Sequence, residues 1–488
     1  MRRSTSFLLA AILWCASSAQ ETACSLDDRS FFGPDPNLQV LEYDVGDGPQ
    51  TTLVYVEPNV TTFYRNQVAL PSTQKVTPAF DGLQAKFVNL SNQSVTFFWE
   101  DRGTKIRHVM RYLDPWTATG TASFPNHQFV MTPRDDETTD LVRITVQAYP
   151  QNNYYYDPYH IRENPTPPSF LGPKDQKMYT RWRKTVLFDD QYKAKTGRSY
   201  LANYLRAPPL HMMWPAEYFG QEHWVTSRET HFTQIPPEEE LKNIRLTGRQ
   251  RRLTDDQPRL LEAYRNMTEP LLNLTLRVLS VAPRVLEIPN FLSSTEVQHI
   301  IELAHRMHMK KSTTGDALTK ETAQLKTRTS KNTWVSREET PIIDTIYRRA
   351  ADVQLMDEAL LRFRDPDERP DLDTRKTLGE QLQLVHYDEQ EEYTAHHDFG
   401  FARLEDEKQA ARFSTLLLYL NDVPRGGETS FPRWANSETF HKLKVKPEAC
   451  KAVLFYSQLP DGNFDDLSHH AAEPVIEGEK YLINLWTW

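Results

Sequence analysis

Residues 393–401 read Tyr393-Thr394-Ala395-His396-His397-Asp398-Phe399-Gly400-Phe401. On an extended strand, residues i and i+2 face one side and residue i+1 the other, so His396 and Asp398 converge and His397 points away. A histidine and a carboxylate on one face supply two ligands for a metal ion. A third has to come from elsewhere, and His441, His469 and His470 lie downstream. The surroundings place this stretch among strands: after Gly379, runs of apolar and β-branched residues at 382–387, 413–420, 451–456 and 480–486 alternate with turn formers. Helices precede them. Ser293 and Glu296 form a capping box ahead of Val297, Ile300, Ile301 and Ala304 at helical spacing. Thr340-Pro341 opens a second helix with Ile343, Ile346, Tyr347, Ala350 and Val353 on one face. The expected fold is α+β and mainly β, with a C-terminal double-stranded β-helix, or jelly roll, flanked by helices over residues 283–488.

Upstream the pattern changes twice. From 38 to 149, short β-branched and aromatic runs such as 52–56, 94–99 and 141–146 predict an N-terminal antiparallel β-sandwich. From 150 to 282 the composition turns to Tyr, Pro and charge, as in Asn153-Tyr154-Tyr155-Tyr156-Asp157-Pro158 and Pro165-Thr166-Pro167-Pro168. That predicts a Pro/Tyr-rich connector with some helix after Pro237. Within it, Arg249-Gln250-Arg251-Arg252 fits a proprotein-convertase site, with a solvated basic turn the preferred reading.

The chain has 488 residues, a formal charge of -9 and 25% charged residues, which gives no reason to expect nucleic acid or an anionic membrane as partner. Arg2 and Arg3 precede an apolar run at 7–16 and the small residues Ser17-Ser18-Ala19, the order of a secretory signal peptide over 1–19. The run is too short to span a bilayer, which takes about 20 residues, so no membrane span is expected after signal removal. Asn-x-Ser/Thr sequons at Asn59, Asn89, Asn92, Asn266 and Asn273 agree with the secretory pathway, lumenal or secreted. The last residues carry no KDEL-type retrieval signal, so retention would need another device. With Cys15 in the signal, Cys24 and Cys450 permit at most one bridge.

With a second histidine, His396 and Asp398 would complete two histidines and one carboxylate on one face of an octahedral ion, the arrangement of non-haem Fe(II) oxygenases. Zinc would accept the same ligands; a lysine able to hold a dicarboxylate favours iron. Here a resemblance becomes specific. The segments 383–387, 393–398 and 412–422, Gly426-Gly427-Glu428-Thr429-Ser430-Phe431-Pro432, Ser468-His469-His470-Ala471-Ala472-Glu473-Pro474-Val475 and Gly478-Glu479-Lys480-Tyr481 are similar, in order, to prolyl 4-hydroxylases. These are Fe(II)- and 2-oxoglutarate-dependent dioxygenases, and the similarity reaches upstream to 283–288 and Arg328-Thr329-Ser330. It implies His396, Asp398 and His470 as iron ligands, His470 standing four residues before Pro474 and ten before Lys480. It also implies Lys480 as the cation for the distal carboxylate of 2-oxoglutarate, Tyr387 and Thr429 as hydrogen-bonding partners of that carboxylate, and Arg412 and Trp486 near a peptide substrate. The cofactors implied are Fe(II), 2-oxoglutarate, O2 and L-ascorbate. By alternation Lys480, Leu482, Asn484 and Trp486 share a face of the last strand, so the lysine and the tryptophan can both look into the barrel. Gln390 and Ala472 stand where the family often has glycine, and His469 where it is usually apolar.

A second, shorter resemblance covers about forty residues of the sandwich. Residues 87–91, 99–103 and 125–129 resemble the β domain of the von Hippel-Lindau protein, with Trp116 and Asn126 where that family has glycine. The expected function is hydroxylation of peptidyl-proline with O2 and 2-oxoglutarate, yielding succinate and CO2. The partner is a proline-containing peptide or protein, and the sandwich offers a surface for a further protein. Two alternatives stay open: the same chemistry on another residue or a small molecule, and a non-catalytic secreted binding protein on a dioxygenase fold. The loops at 311–331 and 403–411 would decide the target.

Overall fold

The computed structural model describes residues 35–56, 61–65, 68–72, 82–206, 209, 211–228, 271–312, 328–365, 368–372, 377–400, 411–435 and 442–488. The signal peptide at 1–19, Cys24, Asn59, Asn266, His441, the basic stretch 249–252 and the helix expected after Pro237 lie outside them, as do most of the loops at 311–331 and 403–411.

In the N-terminal half, β1 (Leu38–Tyr43) and β2 (Gln50–Tyr55) form an antiparallel ribbon, and β3 (Thr61–Arg65) and β4 (Val68–Ser72) another. Then come β5 (Leu83–Asn89), β6 (Val95–Glu100), β7 (Arg107–Leu113), β8 (Ala118–Ser123), β9 (Gln128–Pro133), β10 (Val142–Thr145) and β11 (Asn153–Tyr156). A three-stranded sheet ordered β11-β5-β8 packs on a four-stranded sheet ordered β10-β9-β6-β7. Phe87, Phe97 and Phe129 fill the gap with ring centroids 4.5–5.2 Å apart. Each such aromatic contributes roughly 2–3 kcal/mol by leaving water. Trp116 (φ 62) and Asn126 (φ 73), where glycine was expected, both sit in the left-handed region that glycine enters without cost.

The sandwich differs from the sequence reading at both edges. The β1-β2 ribbon is no part of it, because Leu41, Val45 and Val54 pack instead with Phe188, Tyr192 and Phe464. At the other edge β11 crosses the expected limit at 149 and pairs with β5 in parallel. The expected connector also holds a 24-residue helix, α1 (Pro173–Thr196), started by Pro173 and ended by Gly197 at φ 75. Its buried face mixes Met178, Tyr179, Trp182 and Val186 with Thr185 and Asp189. Such a helix, wedged between several neighbours, has no clean apolar stripe for periodicity to find.

The C-terminal half runs β12 (Glu222–Arg228), β13 (Leu271–Ser280), β14 (Val285–Ile288), α2 (Ser294–Arg306), β15 (Lys310–Lys311), β16 (Lys331–Val335), α3 (Pro341–Gln354), β17 (Leu382–Tyr387), β18 (Tyr393–His396), β19 (Ser414–Tyr419), β20 (Arg425–Gly426), β21 (Thr429–Ala435), β22 (Lys442–Val445), β23 (Ala452–Tyr456), β24 (His470–Ala472), β25 (Val475–Glu477) and β26 (Lys480–Thr487). Nine strands form the major sheet, ordered β12-β13-β14-β23-β19-β26-β17-β16-β15, and β18-β24-β21-β22 form the minor one. This is the expected double-stranded β-helix. Alternation sorts the major sheet's side chains: Leu384, Leu416, Leu454 and Ile483 meet the helices, while Val385, Leu417, Phe455 and Leu482 face the minor sheet. The strands at the centre are buried on both faces, which is why they read as unbroken apolar runs.

The helices cover the outer face. Ser293 and Glu296 make the expected capping box on α2, and Thr340 caps α3 with Pro341 at its first turn. Glu296 also receives both terminal nitrogens of Arg349 of α3, at 2.9 and 3.1 Å, where neither residue is exposed. Among the described residues no helix is long and apolar enough to cross a membrane.

Candidate metal centre

β18 and β24 pair antiparallel with His396 opposite His470, which brings two side chains from distant parts of the chain to one end of the minor sheet. The strand itself ends at His396, yet Asp398 still turns to the same side. The ligand atoms of His396, Asp398 and His470 all lie within 4.8 Å of one another. Nε2 of His396 is 3.7 Å from Asp398 Oδ1, and Nε2 of His470 is 3.7 Å from Oδ2. Each imidazole places Nδ1 2.9 Å from the carbonyl two residues earlier, Thr394 for His396 and Ser468 for His470. A carbonyl only accepts, so Nδ1 carries the hydrogen and Nε2 presents its lone pair to the centre of the triad.

Burial holds both histidines below the ordinary range and therefore neutral, the form that ligates. For Asp398 burial works upward, but His470, His396, Arg412 and the Thr415 hydroxyl outweigh it and keep the carboxyl ionised. Oδ2 of Asp398 accepts from Thr415 Oγ1 at 2.6 Å and from Trp486 Nε1 at 2.9 Å. The chain thus orients every member of the triad before any ion arrives. Two neutral imidazoles and one carboxylate suit a divalent ion and leave further positions open.

Lys480 begins β26 opposite Tyr387 of β17. Its ammonium is wholly buried, and among the described residues it has no hydrogen-bond acceptor. Burial pushes it down to about 7, against the pull of Glu428 and Glu473. Around it stand the rings of Tyr387 and Tyr419, with centroids 5.4 and 5.7 Å away. Tyr387 hydrogen-bonds Ser330, and Tyr419 donates to Thr429 Oγ1 at 2.7 Å. A buried cation with hydroxyls around it and no acceptor of its own fits an anionic ligand such as a carboxylate. The Gly426-Gly427 pair shapes the adjoining turn: a Cβ on Gly426 would stand 2.4 Å from the carbonyl oxygen of Pro474. Gln390, another position where glycine was expected, takes a left-handed φ of 66.

Arg412 and Trp486 form the rim. Glu380 accepts from Arg412 Nε and a terminal nitrogen at 2.6 and 3.0 Å, and the guanidinium lies 3.7 Å over the Trp486 ring. Trp334 stands beside Trp486 with centroids 5.9 Å apart and is 42% exposed. The eight residues singled out by sequence thus form two groups within the barrel, the triad with Arg412 and Trp486, and Lys480 with Tyr387 and, through Tyr419, Thr429. Sequence reasoning missed Thr415 and Tyr419, although inward alternation along β19 could have found both. His397 and His469 turn to the other side, where their rings stack 4.7 Å apart.

Residues 382–488 match the model of the 2OG-Fe(II) oxygenase superfamily, 2OG being 2-oxoglutarate. Over 209 residues the chain is 36% identical to probable prolyl 4-hydroxylase 3 and 33% identical to probable prolyl 4-hydroxylase 8, both of Arabidopsis thaliana. Each alignment covers 40% of this chain and 66% of the relative, so the chain spans just under two thirds of the curated relatives it matches. Among solved structures, the viral collagen prolyl hydroxylase of Paramecium Bursaria Chlorella virus-1, in complex with 2OG, aligns at 24% identity and a TM-score of 0.29, covering 41% of this chain and 94% of that one. The C-terminal domain is a 2OG-Fe(II) oxygenase domain. It is distantly related to prolyl 4-hydroxylases, and the family implies Fe(II) and 2-oxoglutarate.

Proposed function

We propose that this protein hydroxylates peptidyl-proline in the secretory pathway, with Fe(II), O2, 2-oxoglutarate and L-ascorbate. The observation that carries the reading is the placement of Lys480, a buried ammonium without an acceptor among the described residues, in the same barrel as the His396-Asp398-His470 triad. His396, Asp398 and His470 would hold the iron, which when bound supplies the oxidation that converts 2-oxoglutarate to succinate and CO2 and hydroxylates the target carbon. Lys480 fixes the distal carboxylate by a charge-assisted contact that is strong because water is excluded, with Tyr387 and Thr429 completing the cradle. Thr415 and Trp486 keep Asp398 aimed at the ion, and Arg412, anchored by Glu380, borders the cleft where a peptide would lie. Similarity to probable prolyl 4-hydroxylases supports proline as the target. The apolar N-terminal run and the exposed sequons Asn92 and Asn273 support the secretory route; Asn89 is buried and cannot take a glycan once folded.

The test is succinate release by purified protein with Fe(II), ascorbate and proline-rich peptides, together with mass spectrometry of those peptides. A gain of one oxygen on proline, abolished in His396→Ala, is expected. Succinate release with oxygen gained on another residue would replace the substrate and keep the chemistry. No release with any peptide, and none without peptide, would refute the enzymatic reading.

A further inference from the structure

The N-terminal half of the chain reaches the segment behind the triad. His397, one residue after His396, places Nε2 2.9 Å from the backbone oxygen of Asp466. Asp466 opens a single helical turn, Asp466–Ser468, started by the Asp465 carboxylate accepting from Leu467 N at 2.9 Å. The turn's last residue supplies the carbonyl that holds His470 Nδ1. Asp466 is thus tied to both histidine-bearing segments, to one through His397 and to the other through the chain itself.

The Asp466 carboxylate is buried and is gripped from outside the barrel. Oδ1 accepts from Gln84 N at 2.8 Å and Oδ2 from Asn152 Nδ2 at 2.8 Å, both donors belonging to the sandwich. Arg433 of β21 forms an ion pair with the same carboxylate and donates to the Asp466 carbonyl at 2.8 Å. Asn152 is fixed in turn, since its Nδ2 also donates to Gln84 O at 2.9 Å. Beside it Lys86 of β5, wholly buried, spends its ammonium on the carbonyls of Leu201, Ala202 and Tyr200 at 2.9, 3.0 and 3.3 Å. Leu201 N then donates to Asn463 Oδ1 at 2.8 Å, three residues before Asp466.

We infer that Asp466, held by Asn152 and Gln84 of the N-terminal sandwich, is a positioning residue for the two metal-binding histidines, so that the sandwich is part of the metal site's construction. The inference rests on the metal-binding reading of the triad. Its physical basis is that a buried carboxylate with full partners has one geometry, and the turn that aims His470 inherits it. Partners behind a metal ligand typically govern 10- to 100-fold in affinity.

The test uses the full chain, freed of metal and titrated with Co(II), whose visible absorption reports ligand geometry. Asn152→Ala removes one sandwich donor. Asp35→Ala is the control: it removes the ion pair with Arg284, a contact between the N-terminal half and the barrel that involves neither Asp466 nor the residues bonded to it. Both variants are expected to melt at lower temperature. Only Asn152→Ala should weaken Co(II) binding, by about 10- to 100-fold, and shift the absorption band. Should Asn152→Ala fail to fold, the isosteric Asp466→Asn is expected to show the same loss. Wild-type Co(II) binding with unchanged affinity and band in these variants would reduce Asp466 to a structural weld and overturn the inference. Failure of the wild-type protein to bind Co(II) would overturn the metal reading itself, and the brace with it.

Discussion

Replacing Lys480 with methionine should move stability and cosubstrate binding in opposite directions. The side chain is wholly buried and its ammonium is lowered from 10.5 to about 7. The unfolded chain keeps the higher value, so it binds the extra proton more tightly than the folded one. The resulting penalty is largest below pH 7 and disappears as pH rises past the unfolded value. Near pH 7.5 it amounts to on the order of 4 kcal/mol, at about 1.4 kcal/mol per unit of separation. Methionine has similar length and no charge, so Lys480→Met should raise the melting temperature of the ligand-free protein. The same change removes the proposed partner of the 2-oxoglutarate tail. Loss of a buried charge pair costs about 2–4 kcal/mol, a rise of ~30- to 900-fold in the KM for 2-oxoglutarate. Thermal melting with and without 2-oxoglutarate, and succinate release against its concentration, read the two effects. A variant that melts lower than wild type while keeping its KM would refute the reasoning, since Lys480 would then be satisfied by the protein alone.

The other expectations concern neighbouring groups. The KM for 2-oxoglutarate should rise with pH above about 7, toward tenfold per unit, because the proposed contact needs the ammonium and deprotonation removes it; a flat profile to pH 8.5 would argue against Lys480 as its partner. Trp486→Phe keeps the ring under Arg412 but removes the 2.9 Å bond to Asp398, so metal affinity should fall about 10- to 100-fold by Co(II) titration with little change in melting temperature. Glu296→Ala leaves Arg349 buried without its carboxylate and should destabilise by about 3–5 kcal/mol in urea, while succinate release at low temperature stays near wild type.

Most of the C-terminal domain was legible in its local pattern. The barrel strands alternate between two buried faces, and α2 and α3 carry their caps and apolar stripes in consecutive residues. Neighbours in the chain impose those signals. The convergence of His396 and Asp398 has the same origin, a strand's period of two. The choice of His470 over His469 came from resemblance to a family; in the structure β18 pairs with β24 and His470 stands opposite His396.

What local pattern cannot carry is contact between distant segments. Gln84 meets Asp466 across 382 residues and Asn152 meets it across 314, with no periodicity linking the partners. For the same reason β11 joined β5 unannounced, α1 hid among charged and aromatic residues, and the apparent misplacement of His469 made sense only once it lay stacked on His397. By itself the sequence determined the barrel, its helices and the direction of the ligands along each strand, because backbone geometry dictates them within a few residues. Only the tertiary structure decided that Gln84 and Asn152 of the sandwich bond Asp466 and that Lys480 is buried without an acceptor among the described residues, because burial and long-range hydrogen bonding exist only once the whole chain is packed.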